Sequence, residues 1–278
     1  SYTVTGEGYR WKNVGVMSNK GIELSADADV IRTKDFTWNV SANVSYNQNR
    51  LKELYNGVTE YVNSTTGLKY VVGHSVSEFF LNRYAGVNPA NGEQLWYDKN
   101  GNVTNEFRES DKVMTGKTYD APWMGGFGTS FRWKGLQLSA QFSWIGTRYV
   151  INNDRYFEEG GVTFGTAYNQ SRRVLYNRWK NPGDITDIPK WGEVNQLDDR
   201  YLENASFLRL KNLSLSYSLP QAWLSKTKFF TLVRIYAQAQ NLFTITGFNG
   251  LDPEVSSNVY QAQYPASRQF TLGMEVSF

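Results

Sequence analysis

Strict alternation of apolar and polar residues runs along much of this 278-residue chain and constrains its fold more than any other feature. The clearest stretch spans 36–47, where Ser, Thr and Asn occupy every second position. The intervening positions are Phe36, Trp38, Val40, Ala42, Val44 and Tyr46. Because successive side chains of a β-strand point to opposite faces, this stretch predicts a strand with one apolar and one polar face.

The same pattern recurs and predicts seven long antiparallel strands. Their approximate ranges are 20–33, 36–50, 124–134, 135–150, 204–219, 229–243 and 266–278. Short connections are expected at 33–35, 134–135 and 220–228, and long ones at 51–123, 151–203 and 244–265. In the fifth strand the leucines change phase near Lys211 and Asn212, which predicts a β-bulge there. Short helical turns are conceivable only at 76–84 or 171–179.

Alternation fits either a soluble β-sandwich or a membrane β-barrel, and three features favour the barrel. The strands are much longer than the ~5–6 residues usual in soluble proteins. Their polar faces carry Ser, Thr, Asn and Gln, which suits a water-filled lumen. The ten residue steps from Phe36 to Tyr46, at ~3.3 Å per residue and a ~40° tilt, would span a height of roughly 25 Å across the membrane, which matches a lipid-facing band. The sequence therefore predicts an all-β, antiparallel transmembrane β-barrel with periplasmic turns and extracellular loops.

Composition excludes several other classes of protein. Cys is absent, so neither disulfides nor Cys-ligated metal sites can form, and His74 is the only imidazole. The net charge of +3 is spread along the chain, and no nucleic-acid partner is expected. No Gly-x-Ser-x-Gly elbow occurs, so no enzyme is expected. Aromatic residues make up 15% of the chain, although its mean hydropathy is only −0.52. Lipid-facing strands with aromatic girdles explain why so polar a chain has so many aromatic residues.

The odd number of predicted strands has a consequence for closure. Bacterial barrels close with an even number of strands, and an open edge is not tolerated in lipid. We therefore expect these strands to pair with others outside the sequence. An eighth strand within 51–123 would instead give a closed eight-stranded barrel. A soluble or surface β-sheet module that binds carbohydrate or acts as an adhesin remains the alternative function.

Several stretches resemble the SusC/RagA family of TonB-linked outer-membrane proteins. The C-terminal ones read QNLFTITGFNGLDPEV at 240–255 and RQFTLGMEVSF at 268–278. Upstream, NKGIEL at 19–24, GEQLWYDKNG at 92–101 and RWKNPGD at 178–184 look like the same family and follow in the same order. The resemblance covers nearly the whole chain.

The resemblance implies a 22-stranded barrel, with an N-terminal plug inside it, in the outer membrane of Bacteroidetes-type bacteria. Such proteins import oligosaccharides or peptides, are energised by TonB pulling on the plug, and carry a SusD/RagB-like lipoprotein as a lid. Residues 1–278 are then expected to be the C-terminal part, roughly the last seven strands, with a periplasmic C-terminus. The plug and the TonB-contacting segment are expected to lie outside this sequence. The expected partners are the remaining barrel and plug, the lipoprotein, TonB, membrane lipid and a glycan or peptide substrate.

Two sets of residues are candidates for function. The last strand resembles the assembly signal of outer-membrane barrels through Phe270, Leu272, Met274, Val276 and Phe278. Loop aromatics are candidate contacts for ligand or lipoprotein, because aromatic rings favour sugar stacking and protein interfaces. They are Tyr84, Trp96, Tyr97, Trp123, Tyr149, Tyr156, Phe157, Tyr168 and Trp191. Packing within the long loops is an equally strong alternative for each of them.

Acidic residues in the long loops give no convincing metal site, and no cofactor is expected. Residues 98–101, Asp-Lys-Asn-Gly, lack the further ligands of a calcium loop, and Asn-Gly predicts a hairpin turn instead. The pairs Glu158-Glu159 and Asp198-Asp199 are expected to lie in solvent. Binding of Ca²⁺ by these extracellular loops is the lesser alternative.

Overall fold

The computed structural model describes residues 15–63, 68–160 and 169–278, and its strands are numbered along the chain. Seven long strands form one antiparallel sheet, here called the wall. Their order in the sheet is their order in the sequence, so each long strand pairs with the long strand that follows it. They are β1 (Gly15–Arg32), β2 (Phe36–Leu54), β10 (Trp123–Trp133), β11 (Leu136–Gly146), β14 (Phe207–Ser218), β15 (Leu232–Gln240) and β18 (Gln269–Ser277). All seven predicted strands are confirmed.

The connections lie at two different ends of the wall. Residues 33–35 and 134–135 make tight turns at one end, the short-turn end, with Lys134 at φ 53°. The third connection at that end contains helix α3 (Gln221–Thr227), which the sequence did not predict because seven residues are too few to display a helical period. The three long connections all leave the opposite end, called the long-loop end.

The two faces of the wall carry opposite kinds of side chain, as the alternation predicts. On one face apolar side chains stay exposed, with Leu272 at 80% and Ile22 at 65%. Across neighbouring strands Phe127 stacks on Phe142, with ring centroids 4.6 Å apart. Gly125 lies opposite Val44 on this face, where a Cβ would come within 2.3 Å of the Asn43 carbonyl oxygen. The apolar side chains therefore form a continuous exposed band instead of a core.

Aromatic residues border this band at both ends. Tyr46 and Trp123 pair at the long-loop end with ring centroids 4.6 Å apart. Phe36 and Trp133 are paired opposite each other at the short-turn end. Trp123 is the first residue of β10, so its assignment to a long loop is wrong. The predicted strand begins at 124, one residue after the observed start.

The wall is an open sheet. Within the described residues β1 pairs only with β2, and at the other edge β18 pairs only with β15. The closed eight-stranded alternative is therefore wrong. Residues 55–122 do contain strands, but these form small sheets of their own outside the wall.

The predicted bulge in β14 is confirmed and falls at Lys211. Gln141 pairs with Asn212 and the next residue, Phe142, pairs with Leu210, so Lys211 is the extra residue. Downstream of the bulge β14 pairs with β15, and upstream it pairs with β16 (Thr244–Thr246). Leucines before and after Lys211 consequently face the same side of the wall.

Within the described residues, the long connections fold into three small sheets and contain two short α-helices. One sheet contains β3 (Glu60–Asn63), β4 (Leu68–Val71), β5 (Glu78–Leu81) and β9 (Val113–Thr118). The second contains β6 (Arg83–Val87), β7 (Gln94–Tyr97) and β8 (Val103–Thr104). The third contains β12 (Tyr149–Asn152), β13 (Leu202–Asn204) and β17 (Val259–Tyr260). The helices are α1 (Asn153–Glu159) and α2 (Arg172–Asn177).

These connections, and not the wall, contain the main apolar core. Phe79 and Leu81 from one long connection pack with Ile151, Tyr201 and Leu202 from the next. Helix α2 agrees with the expected turn at 171–179, whereas the expected turn at 76–84 is wrong, because β5 and β6 occupy it. The hairpin turn at 98–101 is confirmed between β7 and β8. None of the described helices has the length and apolar character needed to cross a membrane.

Candidate functional site at the long-loop end

A buried carboxylate, Asp198, joins two of the long connections. It is fully buried, and its Oδ2 accepts hydrogen bonds from Trp96 Nε1 at 2.8 Å and Arg200 Nη2 at 3.2 Å. Arg200 also bonds to Gln94 Oε1 at 3.0 Å, and its Cζ lies 4.1 Å from the centroid of the Tyr84 ring. Burial raises the pKa of Asp198, while the positive charge of Arg200 opposes that rise. This buried ion pair holds together loop residues that are more than 100 positions apart in the sequence.

A second ionic network joins helices α1 and α2. Glu159, 6% exposed, accepts from Arg155 Nη2 at 3.1 Å and Arg173 Nη1 at 2.5 Å. Arg155 reaches Glu203 Oε1 at 2.6 Å, and Arg173 reaches Asp187 Oδ2 at 2.5 Å. Glu203 in turn accepts the backbone N–H of Asn249, which belongs to the third long connection. Charges within these loops are thus used to hold the loops to one another.

A third cluster attaches the last long connection to the polar face of the wall. Arg209 of β14 is 2% exposed; its Nη2 donates to Asp252, and its Nη1 donates to Glu254 Oε2 at 2.7 Å. Lys211, the bulge residue, donates to the same Glu254 oxygen at 2.8 Å. Asp252 Oδ2 accepts the N–H of Ala266 at 2.8 Å. We call Arg209, Lys211, Asp252 and Glu254 the loop clamp.

Two open cavities lie where the wall meets these loops. One, of about 720 Å³, includes Glu23, Asn43, Ser143, Lys211 and Glu254 in its lining. Apolar side chains, among them Leu24, Val44 and Trp144, also line that cavity. The other, of about 460 Å³, is largely polar in its lining. That lining includes Asn47, Asn49, His74, Ser75, Glu78 and Asp120. Carboxylates, amides and hydroxyls there offer hydrogen bonds to a polar ligand.

The described part of the chain has no group of three or more His, Asp or Glu side chains placed to hold a metal ion. The expectation that the acidic pairs lie in solvent is wrong for Glu159 and Asp198, which are buried in the two ionic networks. Their basic partners are scattered along the sequence, so nothing local marked these acids as buried. His74 Nδ1 lies 3.0 Å from Glu78 Oε2, which gives the single imidazole a partner that the sequence did not reveal.

The predicted contact aromatics fall into three groups. Trp96 is 4% exposed, donates to Asp198 and packs edge-on against Phe107, so it is a packing residue. Trp191 is 61% exposed with the Arg178 guanidinium 4.6 Å from its ring, and Trp123 is 44% exposed on the apolar band. The half-buried ones are Tyr84, Tyr97, Tyr149, Tyr156 and Phe157. Tyr168 lies outside the described residues.

Half-buried aromatics mostly serve the loop core. Tyr156 packs edge-on against Tyr201 with ring centroids 5.5 Å apart, and Tyr149 packs against the same apolar cluster. Tyr84 donates its hydroxyl to the Asp187 carbonyl at 3.2 Å, and burial raises its pKa. Of the predicted loop aromatics that the structure describes, Trp191 thus offers the most exposed ring to a ligand or partner.

The predicted assembly residues lie on an edge strand. Phe270, Leu272, Met274 and Phe278 are each at least 66% exposed on the apolar band, and Val276 is half-buried opposite Val233. Sequence reasoning missed the loop clamp altogether. Its local signal was a pair of cations, Arg209 and Lys211, in a leucine-rich strand.

Comparisons with known proteins agree with this architecture. No family model matches the chain. SusC, a TonB-dependent receptor of Bacteroides thetaiotaomicron, is 31% identical over 96% of this chain and 27% of its own length. A TonB-dependent receptor of Formosa agariphila is 28% identical over 96% of this chain and 29% of its own.

Solved structures give the same result at the level of the fold. The RagAB peptide transporter superposes with a TM-score of 0.90 at 37% identity, covering 99% of this chain and 31% of the transporter chain. In its open-open state the RagAB peptide importer gives a TM-score of 0.91 at 37% identity, covering 99% of this chain and 30% of that one. The chain thus spans less than a third of the length of these relatives. In sequence and in fold, the chain matches a part of the SusC/RagA-type TonB-dependent transporters, and its seven-stranded wall corresponds to a section of a larger β-barrel.

Proposed function

We propose that this chain forms part of the wall and extracellular loops of a TonB-dependent outer-membrane importer of large nutrients, either oligosaccharides or peptides. The observation that carries the proposal is the superposition on the RagAB peptide transporter over 99% of the chain at 37% identity. The cavity beneath the loops whose lining includes Asn47, Asn49 and Glu78 supports it, since that lining offers hydrogen-bonding groups to a polar ligand. Neither cavity distinguishes a glycan from a peptide.

The proposed orientation follows from the unequal ends of the wall. Outer-membrane barrels have short periplasmic turns and longer extracellular loops. The long-loop end is then extracellular, and the short-turn end is periplasmic. Strand β18 runs from the long-loop end to the short-turn end, so the C-terminus is periplasmic in this orientation.

The proposed partners follow from the exposed parts of the chain. The free edges of β1 and β18 would pair with further strands of the same barrel, because lipid leaves no alternative partner for their backbone groups. A plug would fill the lumen and connect to TonB, and a SusD/RagB-like lipoprotein would cover the extracellular loops. No nucleic-acid partner, resident cofactor or catalytic activity is part of this proposal; binding of Ca²⁺ to the loops stays a minor alternative.

The soluble binding module is the weaker candidate. Contiguous exposed apolar surface on a soluble protein promotes aggregation, and here Phe270, Leu272 and Met274 are at least 66% exposed along one strand. A lipid-facing wall accounts for that exposure without any further partner.

The test is uptake by the protein that contains this sequence. A strain lacking the gene is grown on oligopeptides or on oligosaccharides as the limiting nutrient, and purified transporter is titrated with the same mixtures. The expected result is a growth defect and measurable binding with one of the two classes, restored by the wild-type gene. Unimpaired growth on both classes, together with detergent-free solubility of the protein, would support the soluble module instead.

A further inference from the structure

The connection between β14 and β15 places large apolar side chains in the open at the short-turn end. Trp223 and Phe229 are each 61% exposed, and Phe278 is 74% exposed. The Phe278 ring lies 5.0 Å from that of Phe229 and 5.8 Å from that of Phe230, measured between centroids. Three phenylalanines from two strand ends therefore form one exposed cluster.

Local hydrogen bonds hold this cluster in place. The Thr227 hydroxyl donates to the Leu224 carbonyl at 2.7 Å and accepts the N–H of Phe230 at 3.2 Å. Lys228 adopts a left-handed backbone with φ 55°, which reverses the chain directly after α3. Leu224 is 3% exposed and anchors the helix. The rings are therefore presented by an ordered turn.

Positive charge accompanies these rings. The three connections at the short-turn end contain four lysines and a single acid, Asp35. Two of the lysines, Lys226 and Lys228, are exposed beside Phe229. Lys134 lies in the neighbouring turn, with its Nζ 5.5 Å from the centroid of the exposed Trp133 ring. Its backbone N–H donates to the Asp35 carbonyl at 2.9 Å, which ties two turns together.

The aromatic cluster continues the apolar band. Phe278 follows Phe270, Leu272 and Met274 in the same alternation, so it extends the exposed face of β18 beyond the strand end. The lysines lie in the turns just beyond the ends of the strands. From the middle of the apolar band towards the short-turn end, aliphatic side chains are therefore followed first by aromatic rings and then by cations. A bilayer has the matching order of acyl chains, interface and headgroups.

We infer that Trp223, Lys226, Lys228, Phe229 and Phe278 form a lipid-binding rim that holds anionic phospholipid at the short-turn end of the barrel. The rings would lie at the boundary of the acyl chains, and the two ammonium groups would contact the phosphates, since lysines near a membrane attract anionic headgroups. Free phosphate does not account for the exposed rings, so the ligand is the phospholipid. A barrel could import nutrients without this rim, and the inference goes beyond the proposed function.

The test compares the complete transporter in nanodiscs of phosphatidylcholine and of an equimolar phosphatidylcholine–phosphatidylglycerol mixture, with the unfolding temperature as the readout. We expect the anionic lipid to raise this temperature at low salt and to lose its effect at high salt. The variant Lys226→Gln/Lys228→Gln is expected to lose most of the rise. The control Lys52→Gln/Lys99→Gln, with exposed lysines at the opposite end, is expected to keep it. A full rise in the rim variant would overturn the inference.

A second measurement, of tryptophan fluorescence, does not require that the lysine variants insert correctly into the bilayer. Fluorescence is recorded in nanodiscs whose acyl chains carry bromine, and the emission of Trp223 is taken as the difference between wild type and Trp223→Phe. We expect the brominated acyl chains to quench the emission of Trp223. If they do not, Trp223 lies in water and the inference is overturned. Neither readout requires nutrient uptake, so failure of the rim and failure of the import proposal are distinguishable.

Discussion

The wall and the loops at its long-loop end follow opposite rules of burial within one chain. In the wall, apolar side chains such as Leu272 and Ile22 stay exposed, and each strand is held to its neighbours by backbone pairing. In the loops, Phe79, Leu81 and Tyr201 are at most 1% exposed, and buried carboxylates sit against arginines. The wall is suited to lipid on one face, whereas the loops are folded as a water-soluble domain would be.

This difference explains how long connections can remain ordered above a barrel. Loops of this length without structure of their own are uncommon. Here the loops supply a core, three small sheets and the loop clamp that attaches them to β14. Stability in the two regions should therefore respond to different changes, which the following predictions test from the largest effect to the smallest.

Replacing Asp198 by Ala should damage the loops far more than the wall. Arg200 would be left buried without its carboxylate, and removing one partner of a buried ion pair costs about 3–5 kcal/mol. Hydrogen exchange should rise in 84–97 and 195–201, while heat-modifiable migration of the barrel in detergent gels is retained. Asp184→Ala is the control, because that exposed carboxylate only accepts the N–H groups of Lys180 and Asn181. Equal effects of the two variants would contradict the buried role of Asp198.

Replacing Phe278 by Ala should damage the wall and spare the loops. Transfer of a Phe side chain from water to an apolar environment is favourable by about 1.5–3 kcal/mol, and the Ala variant loses most of this free energy. We expect less protein to be inserted in the outer membrane, and the same from a short C-terminal extension. Glu275→Gln, on the polar face of the same strand, is the matched control. Undiminished insertion of both altered proteins would rule out the assembly role of the last strand.

Acid should loosen the loop clamp before it affects the wall. Burial would raise the pKa of Asp252, but the N–H groups of Ala266 and Glu254 and the Arg209 guanidinium hold it below its ordinary value of 3.8. A lowered pKa stabilises the folded state above that ordinary value, and the contribution is lost as the pH falls through the lower one. The protection of amides in 247–266 against hydrogen exchange, measured relative to the intrinsic exchange rate at each pH, should therefore decrease in acid. In the Asp252→Asn variant, the protection of amides in 247–266 against hydrogen exchange should be weaker than in the wild type and should no longer change with pH in this range.

Replacing Trp191 by Ala should change stability least, within about 0.5 kcal/mol, because the ring is 61% exposed. Any functional effect should appear as weaker binding of nutrient or lipoprotein. Tyr176→Ala is a matched control, since Tyr176 is 65% exposed and also lies against an arginine, Arg172. If Trp191→Ala binds both partners as the wild type does, the residue only packs against Arg178.

The wall could be predicted from the sequence because its signal is local. A period of two and the phase change at Lys211 are visible within a dozen residues. The loop site could not be predicted in this way. The Trp96–Asp198 hydrogen bond joins residues 102 positions apart, and the Arg209–Asp252 pair joins residues 43 apart. Among the aromatic residues that the sequence placed in the long loops, it could not separate buried Trp96 from exposed Trp191.

The bulge at Lys211 has a consequence for how this strand tolerates insertion and deletion. Without Lys211, the stretch from Leu208 to Tyr217 would alternate perfectly, and every leucine would keep its present face. The extra residue is therefore dispensable for the pattern of the strand, yet it lies where β14 changes partner from β15 to β16 and supplies a cation to Glu254. A deletion of Lys211 would keep the alternation of β14 and remove one of the two cations that bind Glu254, so the loop would be held there by Arg209 alone.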